Sequence, residues 1–310
     1  MVRKMPAARR CRLLLLVGAC LAAPPGQAAA GRLPALHRWY FTHPIDTLEV
    51  TSARDLTSLF TAKKYSLPMP TKREAVPRLY LLRLVDDLRA VQPESAREAL
   101  FIRIVLPLIA RANAEIRAQR ALLDAIIAAQ AQGSAVSKDR SAWLDALAEL
   151  YAGDTDDLAA LRNRVDEVPP SLAIAQAIDE SGWGTAPLAL QANDLFGEHA
   201  PAELGRGYVR VPGTTVDVAA FATLLDSVLA YMTNINRHPA YAKLRALRAQ
   251  SRHDGRQLDG YALAAGLVDY SARGMDYVNA LRRLIREHKL HVYDRVQLDA
   301  GGTILIRAEP

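Results

Sequence analysis

The chain has 310 residues, of which half are hydrophobic and 23% are charged. This balance is typical of a folded globular protein and excludes disorder as the default state. The length is enough to bury a sizeable core and to form one large domain or two small ones. The formal net charge of +6 arises mostly at the N-terminus.

The first 30 residues have the pattern of a signal peptide. They contain a basic leader, a short apolar run from Leu13 and an A-x-A site from Ala28 to Ala30. The run is shorter than the about 20 apolar residues of a membrane span, and no other segment predicts one. The leader has five basic residues and no acid, so its removal would change the net charge from +6 to +1. So small a charge predicts no nucleic-acid partner.

Both cysteines, Cys11 and Cys20, lie in this leader. A chain cleaved after Ala30 would have no thiol, which excludes disulfides, cysteine nucleophiles and thiolate metal sites. An alternative remains, because "LVGAC" ending at Cys20 is similar to a lipoprotein processing site. In that case the mature protein would begin at a lipid-modified Cys20.

The sequence of residues 31–165 predicts an extended arm or a set of short elements, followed by helices. Four prolines interrupt any periodic segment before residue 76: Pro34, Pro44, Pro68 and Pro70. Later, apolar residues recur at helical spacings at Leu100, Phe101, Ile104, Val105, Leu108, Ile109, Leu122, Leu123, Ile126 and Ile127. Pro107 is expected to kink the first of these helices or to mark its early turn. "SKDRSAWLDALAELYAG" and "DTDDLAALRNRV" predict two more helices.

Residues 166–293 predict a second region with one hairpin among helices. Ser171 after "EVPP" is a plausible N-cap, and Gly182 and Gly184 are expected to stop the helix that follows. "GYVRV" and "TVDVAAF" alternate around "PGT" and predict a short hairpin. Four further helices are expected before residue 293, and the tail 294–310 could supply a strand or stay loose. The fold class is therefore mainly α (α+β).

Two acids, Asp179 and Glu180, end the otherwise apolar helix in "SLAIAQAIDESGWGTAPLALQANDLFG". Desolvation and the negative end of the helix dipole both raise the pKa of a carboxyl in this position. A carboxyl that keeps its proton is what a general acid for glycosidic cleavage needs. Trp183 between two glycines would offer a platform for a sugar ring. The alternative is a solvated helix end with an ordinary core tryptophan.

The string "PPSLAIAQAIDESGWG" with the later "NDLFG" resembles the motif of bacterial N-acetylglucosaminidases of glycoside hydrolase family 73, and most of all their Bax-related branch. The resemblance continues through "LLDSVLAYMTNINRHPAYAKLRALRAQ" and "LDGYALAAGLVDYSARGMDYVNALRRLI". It implies a lysozyme-like helical domain with a small β lobe over 166–293, preceded by the helical region 31–165 and followed by the tail 294–310.

The resemblance also assigns site residues. It makes Glu180 the general acid and places Tyr270 at the groove as an assisting catalytic residue, while Asp179 points about 100° away and is expected to be structural or exposed. Its candidate substrate-binding residues are Trp183, Asn193, Phe196 and Tyr277. Core packing is the favoured alternative for the Phe196 side chain, and helix packing for Tyr277.

A second carboxylate, which some family members carry on the β lobe, has no clear equivalent here. The candidates are Glu198, Glu203 and Asp217, each of which reads better as a solvated charge. Without one, the substrate's own acetamido group could act as nucleophile, or a water activated elsewhere could give inversion. His288 and His291 have helical spacing but lack a third ligand, so the sequence predicts no metal and no cofactor.

The function expected from the resemblance is an exported endo-β-N-acetylglucosaminidase that cuts peptidoglycan glycan strands in the periplasm or cell envelope. Two alternatives stay open. A lytic transglycosylase shares the helical plan and the single glutamate, but leaves an anhydro-muramic end. A noncatalytic peptidoglycan-binding or scaffold protein would keep the groove without the chemistry.

Overall fold

A computed structural model describes residues 33, 34, 36, 45–67, 75–197, 208–210 and 217–309, with the backbone alone for 208–210, 217 and 218. The predicted signal peptide at 1–30, with Cys11 and Cys20, lies outside the described residues, as do Glu198 and Glu203. Pro34–Pro310 forms one compact unit. The predicted boundaries at 165 and 293 fall inside it and stay predictions.

Helices dominate the described part of the chain, which confirms the mainly α prediction. They are α1 (Ala53–Ala62), α2 (Glu94–Ala131), α3 (Lys138–Leu150), α4 (Leu158–Arg164), α5 (Pro170–Ser181), α6 (Pro187–Ala192), α7 (Leu224–Arg237), α8 (Ala242–His253), α9 (Gly260–Leu263) and α10 (Met275–Glu287). Short 3₁₀ turns lie at Leu88–Ala90, Pro239–Tyr241, Ala264–Gly266 and Leu290–Tyr293. None of these helices combines the length and apolar character of a membrane span.

Short strands near the start of the described chain pair with strands near its end. The strands are β1 (Ile45–Val50), β2 (Ala75–Val76), β3 (Leu79–Leu81), β4 (Tyr208–Arg210), β5 (Asp217–Ala219), β6 (Gln297–Leu298) and β7 (Thr303–Ala308). β7 lies between β1 and β3 and is parallel to both, and β2 pairs with β6 in parallel. The tail, for which the sequence left a strand or a loose end, therefore forms strands. β4 and β5 pair antiparallel, which confirms the predicted hairpin.

Two local predictions need correction. The early-turn alternative for Pro107 was wrong, because Pro107 lies well inside α2, which continues past it for a total of 38 residues. The alternative of a kink at Pro107 stays a prediction. The hydrogen bond lost at proline is offset because the surrounding segment is buried on both sides of it. Ser171 is not an N-cap either, since α5 begins at Pro170 with Pro169 as its N-cap. Proline is pre-organised for the first helical position, so the helix starts two residues earlier than a Ser171 N-cap would give.

Helix α5 runs through the centre of the core. Every residue from Pro170 to Ile178 is buried, and the helix contacts α2, α9, α10 and the 3₁₀ turn Leu290–Tyr293. Gly182, with φ of 54°, ends it in the left-handed conformation that a glycine adopts without a steric penalty, as predicted. The buried helix thus delivers its last turn, with Asp179 and Glu180, to the edge of the core.

Candidate active site at the end of helix α5

Glu180 is half-buried in the last turn of α5. Burial raises the pKa of its carboxyl, and the neighbouring charges of Asp179 and Asp194 raise it further. A hydrogen bond from Tyr277 and the charge of Arg273 oppose this rise without cancelling it. The site therefore holds a carboxyl that keeps its proton to higher pH than an exposed glutamate, as a general acid requires.

A buried chain of polar side chains leads to Glu180 from inside the core. The Tyr231 hydroxyl donates to Gln176 Oε1 at 2.7 Å, and Gln176 Nε2 donates to the Tyr277 hydroxyl at 2.9 Å. Tyr277 in turn lowers the pKa of the Glu180 carboxyl, while Glu180 raises the pKa of Tyr277. Gln176 and Glu180 are four residues apart on α5 and so share one helix face. Burial and the Glu180 charge raise the pKa of Tyr277 far above its ordinary value, so it stays a neutral phenol.

A cavity of about 350 Å³ opens beside Glu180. Its described lining consists of Glu180, Phe196, Gly197, Asn234, His238, Tyr241, Tyr270 and Ser271. Its volume lies at the lower end of the range of small-ligand sites, and Glu180 is the one carboxylate among these described lining residues. Two larger cavities of about 800 Å³ lie by Asp294 and by Asp166, and neither includes Glu180 in its described lining. The perturbed acid, rather than cavity size, identifies the candidate site.

The "NDLFG" turn forms the wall opposite α5. Asp194 Oδ1 accepts from the backbone N–H groups of Phe196 and Gly197, at 3.1 and 2.9 Å, and so closes the turn. The Phe196 ring is buried and stacks on Tyr231 with 4.0 Å between ring centroids. Its backbone carbonyl accepts a hydrogen bond from the Tyr270 hydroxyl at 3.2 Å. A Cβ on Gly197 would lie 3.9 Å from Glu180 Oε2, so this turn passes directly over the acid.

Stacked aromatic rings join the cavity to α10. Tyr270 lies parallel to Tyr277 with a centroid distance of 5.3 Å, and Tyr241 packs on Tyr270 at 5.6 Å. The Arg273 guanidinium lies 4.8 Å from the Tyr277 ring centroid and forms an ion pair with Asp179. The acid beside Glu180 is thus paired with Arg273 rather than directed into the cavity. Tyr277 is fully buried, and its contact with Glu180 comes from inside the core.

Trp183 and Asn193 lie in turns next to the cavity but are not part of its described lining. The Trp183 indole packs edge-on against Phe101 of α2 and against His288, with centroid distances of 6.0 and 4.8 Å. Its φ of 61° is left-handed. Asn193 is also left-handed, at the end of α6, and its side chain donates to the Phe221 carbonyl at 3.0 Å. Their contact with substrate stays a prediction.

Three cavity residues that the sequence did not single out as site residues come from one segment. Asn234, His238 and Tyr241 lie where α7 ends and the next 3₁₀ turn begins. His238 caps the start of that turn, since its Nδ1 accepts from the Ala240 N–H at 3.3 Å. The available signal was Asn234 and His238 four residues apart, on one face at the end of an apolar helix.

The remaining sequence candidates are the possible second carboxylates and two histidines. Glu198 and Glu203 are outside the described residues, and of Asp217 only the backbone in β5 is described. His288 packs on Trp183, with its Nδ1 3.7 Å from Glu98, whereas His291 borders the cavity by Asp294. The two histidines thus have separate surroundings.

A half-buried carboxyl with a raised pKa at the end of a buried helix is a group that glycosidic cleavage can use. Together with the family match that follows, the mainly α fold makes the protein a glycoside hydrolase. Residues 157–290 match the family described as Mannosyl-glycoprotein endo-beta-N-acetylglucosaminidase. The chain is 35% identical over 211 residues to "Protein bax" of Escherichia coli strain K12, a match that covers 66% of this chain and 74% of that protein. The chain belongs to this glucosaminidase family, as predicted, and its class is that of the peptidoglycan hydrolases.

Two solved structures show a weaker likeness. One is a type VI secretion system effector-immunity complex from Pseudomonas protegens, with 23% identity, 37% of this chain and 77% of that chain covered, and a TM-score of 0.26. The other is the catalytic domain of the autolysin Auto from Listeria monocytogenes, with 16% identity, 55% and 96% covered, and a TM-score of 0.33. Family membership depends on the sequence matches and not on these structures.

Proposed function

We propose that the protein is an exported endo-β-N-acetylglucosaminidase that cleaves the β-1,4 bond next to N-acetylglucosamine in peptidoglycan, with Glu180 as general acid. The observation that carries this proposal is the position of Glu180, half-buried at the cavity with its pKa raised by burial. Family membership supports the choice of bond and substrate.

In the proposed reaction Glu180 donates its proton to the glycosidic oxygen as the bond from that oxygen to the sugar C1 breaks. The bonding electron pair leaves with the oxygen, and a water finally supplies the hydroxyl at C1 and returns a proton to the site. Tyr270 lines the cavity with its hydroxyl held by the Phe196 carbonyl. We assign it to orient the N-acetyl group or the attacking water.

For the other sequence candidates the contacts support different roles. Tyr277 is fully buried and lowers the pKa of Glu180, which supports an influence on the acid from the core side rather than contact with the sugar. The Phe196 ring supports the wall, while its carbonyl anchors Tyr270. Trp183 and Asn193 fix the turns at either end of α6, so we assign them to the shape of the groove.

The second reactant is proposed to be the substrate's acetamido group or a water. This choice is supported by the described lining of the cavity, in which Glu180 is the one carboxylate. The two routes differ in stereochemistry, because attack by the acetamido group leads to retention and direct attack by water leads to inversion. Proton NMR of the anomer first released from a soluble glycan oligomer distinguishes them.

The test of the proposed function is digestion of purified peptidoglycan by the mature chain, with the new ends identified by mass spectrometry. We expect reducing N-acetylglucosamine ends, and a loss of rate of about 10²–10⁴-fold in Glu180→Gln. Glu149→Gln, an exposed position on α3, is the matched control and should digest at the wild-type rate. Anhydro-muramic ends would identify a lytic transglycosylase instead. Binding without any new ends would identify a noncatalytic scaffold.

Export to the periplasm or cell envelope is proposed from the leader at residues 1–30. Expression of the full chain in a Gram-negative host, fractionation and N-terminal sequencing test it. A mature N-terminus at Gly31 supports cleavage at the A-x-A site, whereas a lipid-modified N-terminus at Cys20, lost in Cys20→Ala, identifies a lipoprotein. An uncleaved chain in the cytoplasm would contradict export.

A further inference from the structure

An arginine lies at the rim of the cavity that holds Glu180. Arg273 belongs to the loop before α10, close in sequence to Ser271, which is part of the described cavity lining. Its Nε donates to the Ser271 hydroxyl at 3.4 Å, and its backbone N–H donates to the same oxygen at 3.3 Å. The guanidinium also lies 4.8 Å from the centroid of the buried Tyr277 ring. Arg273 is therefore held beside the cavity, just outside its described lining.

An ion pair with Asp179 fixes the guanidinium on its other side. Arg273 Nη2 donates to Asp179 Oδ2, and the Asp179 side chain is 14% exposed whereas that of Arg273 is 49% exposed. Asp179 directly precedes Glu180 on α5, so the pair lies next to the proposed acid. The charge of Arg273 accordingly lowers the pKa of Glu180. The half-buried carboxylate thus presents a half-exposed cation to the solvent at the cavity rim.

The Arg273 guanidinium has donors left for a further partner. Arginine has five N–H donors in a planar fork. Among the described residues, the contacts of Nε and Nη2 use one donor each, which leaves three, two of them on Nη1. One arginine that binds two carboxylates already occurs in this chain, since Arg252 Nη2 donates to Asp166 at 2.8 Å and to Glu167 at 3.1 Å. The pair with Asp179 therefore allows a second carboxylate on Arg273.

The proposed substrate offers such a carboxylate. Peptidoglycan alternates N-acetylglucosamine with muramic acid, which carries a lactyl group on its C3 oxygen. The lactyl carboxyl is free in a glycan stripped of peptide, whereas in intact strands it is amide-linked to a peptide stem that has carboxylates of its own. The cavity at Glu180 has a volume of only about 350 Å³, so a substituent of this length would extend beyond its lining to the rim. A planar guanidinium is the side chain best suited to bind a carboxylate there.

We propose that Arg273 is a specificity-determining residue: its guanidinium binds a carboxylate of the C3 substituent of muramic acid and so selects peptidoglycan over neutral polymers of N-acetylglucosamine. This inference rests on the proposed function and names the part of the substrate that Arg273 recognises. Asp179 is then a positioning residue, because it holds the guanidinium and acts only through it.

The competing role for Arg273 is a clamp that only joins the loop before α10 to α5. A clamp requires the ion pair with Asp179, and its loss would weaken the binding of charged and neutral glycans alike. Recognition requires the charge of Arg273 and affects only ligands that carry the carboxylate. Asp179→Asn separates the two roles, because it removes the ion pair and keeps the guanidinium.

The test measures ligand binding by calorimetry in the full mature chain with Glu180→Gln, so that no ligand is cleaved. Three tetrasaccharides are compared: alternating N-acetylglucosamine and muramic acid with peptide stems, the same glycan stripped of peptide, and a tetramer of N-acetylglucosamine. Arg273→Gln, Arg273→Lys and Asp179→Asn are each added to this parent. Arg256→Gln is the matched control, because Arg256 also forms an exposed ion pair, with Asp254.

We expect Arg273→Gln to weaken the binding of a carboxylate-bearing tetrasaccharide about tenfold more than that of the neutral tetramer. Arg273→Lys should recover part of this preference, because it keeps the charge and loses the fork. Asp179→Asn should keep a preference for the charged ligands, and Arg256→Gln should match the parent. A loss confined to the stripped glycan identifies the lactyl carboxylate as the ligand, and a loss confined to the stem-bearing glycan identifies the peptide.

Three results would overturn the inference: a parent with no preference for either charged ligand, equal losses on all three ligands in Arg273→Gln, or no loss on any of them. Binding needs no turnover, so a wild type that releases no glycan ends but keeps a preference that depends on Arg273 refutes the proposed function alone. An active hydrolase whose preference is unchanged in Arg273→Gln refutes the role of Arg273 alone.

Discussion

Asp294 holds the start of helix α5, and its ionisation is predicted to weaken the fold. Its carboxylate accepts from the Ser171 N–H and hydroxyl, each at 2.8 Å, and from the Gly260 N–H at 3.3 Å. Burial outweighs these three donors and raises the pKa of Asp294 from 3.8 to about 6. Retaining a proton over that interval corresponds to about 3 kcal/mol of folding free energy.

The direction in which stability changes with pH follows from proton binding by the folded and unfolded chains. Between pH 3.8 and about 6 the folded protein holds the Asp294 proton while the unfolded chain has lost it. The stabilisation is therefore complete below pH 3.8 and disappears as the pH rises through about 6. Asp294→Asn cannot ionise, so its unfolding free energy relative to the wild type should rise by about 3 kcal/mol between pH 4 and pH 7.

Urea unfolding of both proteins at several pH values measures this difference. Other carboxyls whose pKa is raised by burial, such as Glu115 and Glu180, are present in both proteins and cancel in the comparison. Asp276→Asn, at an exposed position of α10, is the control for the removal of a carboxylate from the surface. A difference between Asp294→Asn and the wild type that does not change with pH would refute the reasoning, because the folded protein would then bind no extra proton at Asp294.

Gly184→Ala is predicted to destabilise by about 2–4 kcal/mol, because a Cβ would lie 2.8 Å from the Phe101 ring and φ is +73°. Gly133→Ala is the control, because Gly133 has a similar φ of +74° and nothing within 4 Å of an added Cβ. It should lose only about 1–2 kcal/mol of unfolding free energy in the same urea assay. Equal losses in the two variants would contradict the steric explanation. Arg248→Met is predicted to lose about 3–5 kcal/mol of unfolding free energy. Its fully buried guanidinium donates four hydrogen bonds to backbone carbonyls at the α4–α5 junction and a fifth to Asn236 of α7. Arg256→Met removes an exposed ion pair with Asp254 and should change the unfolding free energy little. A loss equal to that of Arg248→Met would contradict the role of burial.

Local signals in the sequence predicted the parts of the site that a single segment encodes. Gly182 was expected to stop α5 and does so in the left-handed conformation. The apolar run before Glu180 was expected to bury that helix, and it is buried from Pro170 to Ile178. The alternation around "PGT" gave the hairpin. Each of these depends on neighbours within a few residues, which a sequence displays directly.

The features that the sequence did not predict depend on residues far apart in the chain. Ser171 looked like an N-cap because serine often caps a helix, but the nearby carboxylate of Asp294 engages its hydroxyl. The parallel pairing of β7 with β1 and β3 joins segments more than 200 residues apart, and no local pattern selects such partners. The same limit applies to Tyr231, whose bond to Gln176 spans 55 residues.

Both ends of helix α5 are fixed by the last part of the chain. Tyr277 of α10 accepts from Gln176 in the second half of α5, and Asp294 accepts from Ser171 at its start. Asp294 is followed within ten residues by β7, which pairs with β1 and β3. A fragment that ended at the predicted boundary of 293 would keep Glu180 and Tyr277 but lose the carboxylate that fixes the start of the helix. Since an acid is effective only when its geometry is held closely, the role proposed for Glu180 predicts that activity requires the residues after 293.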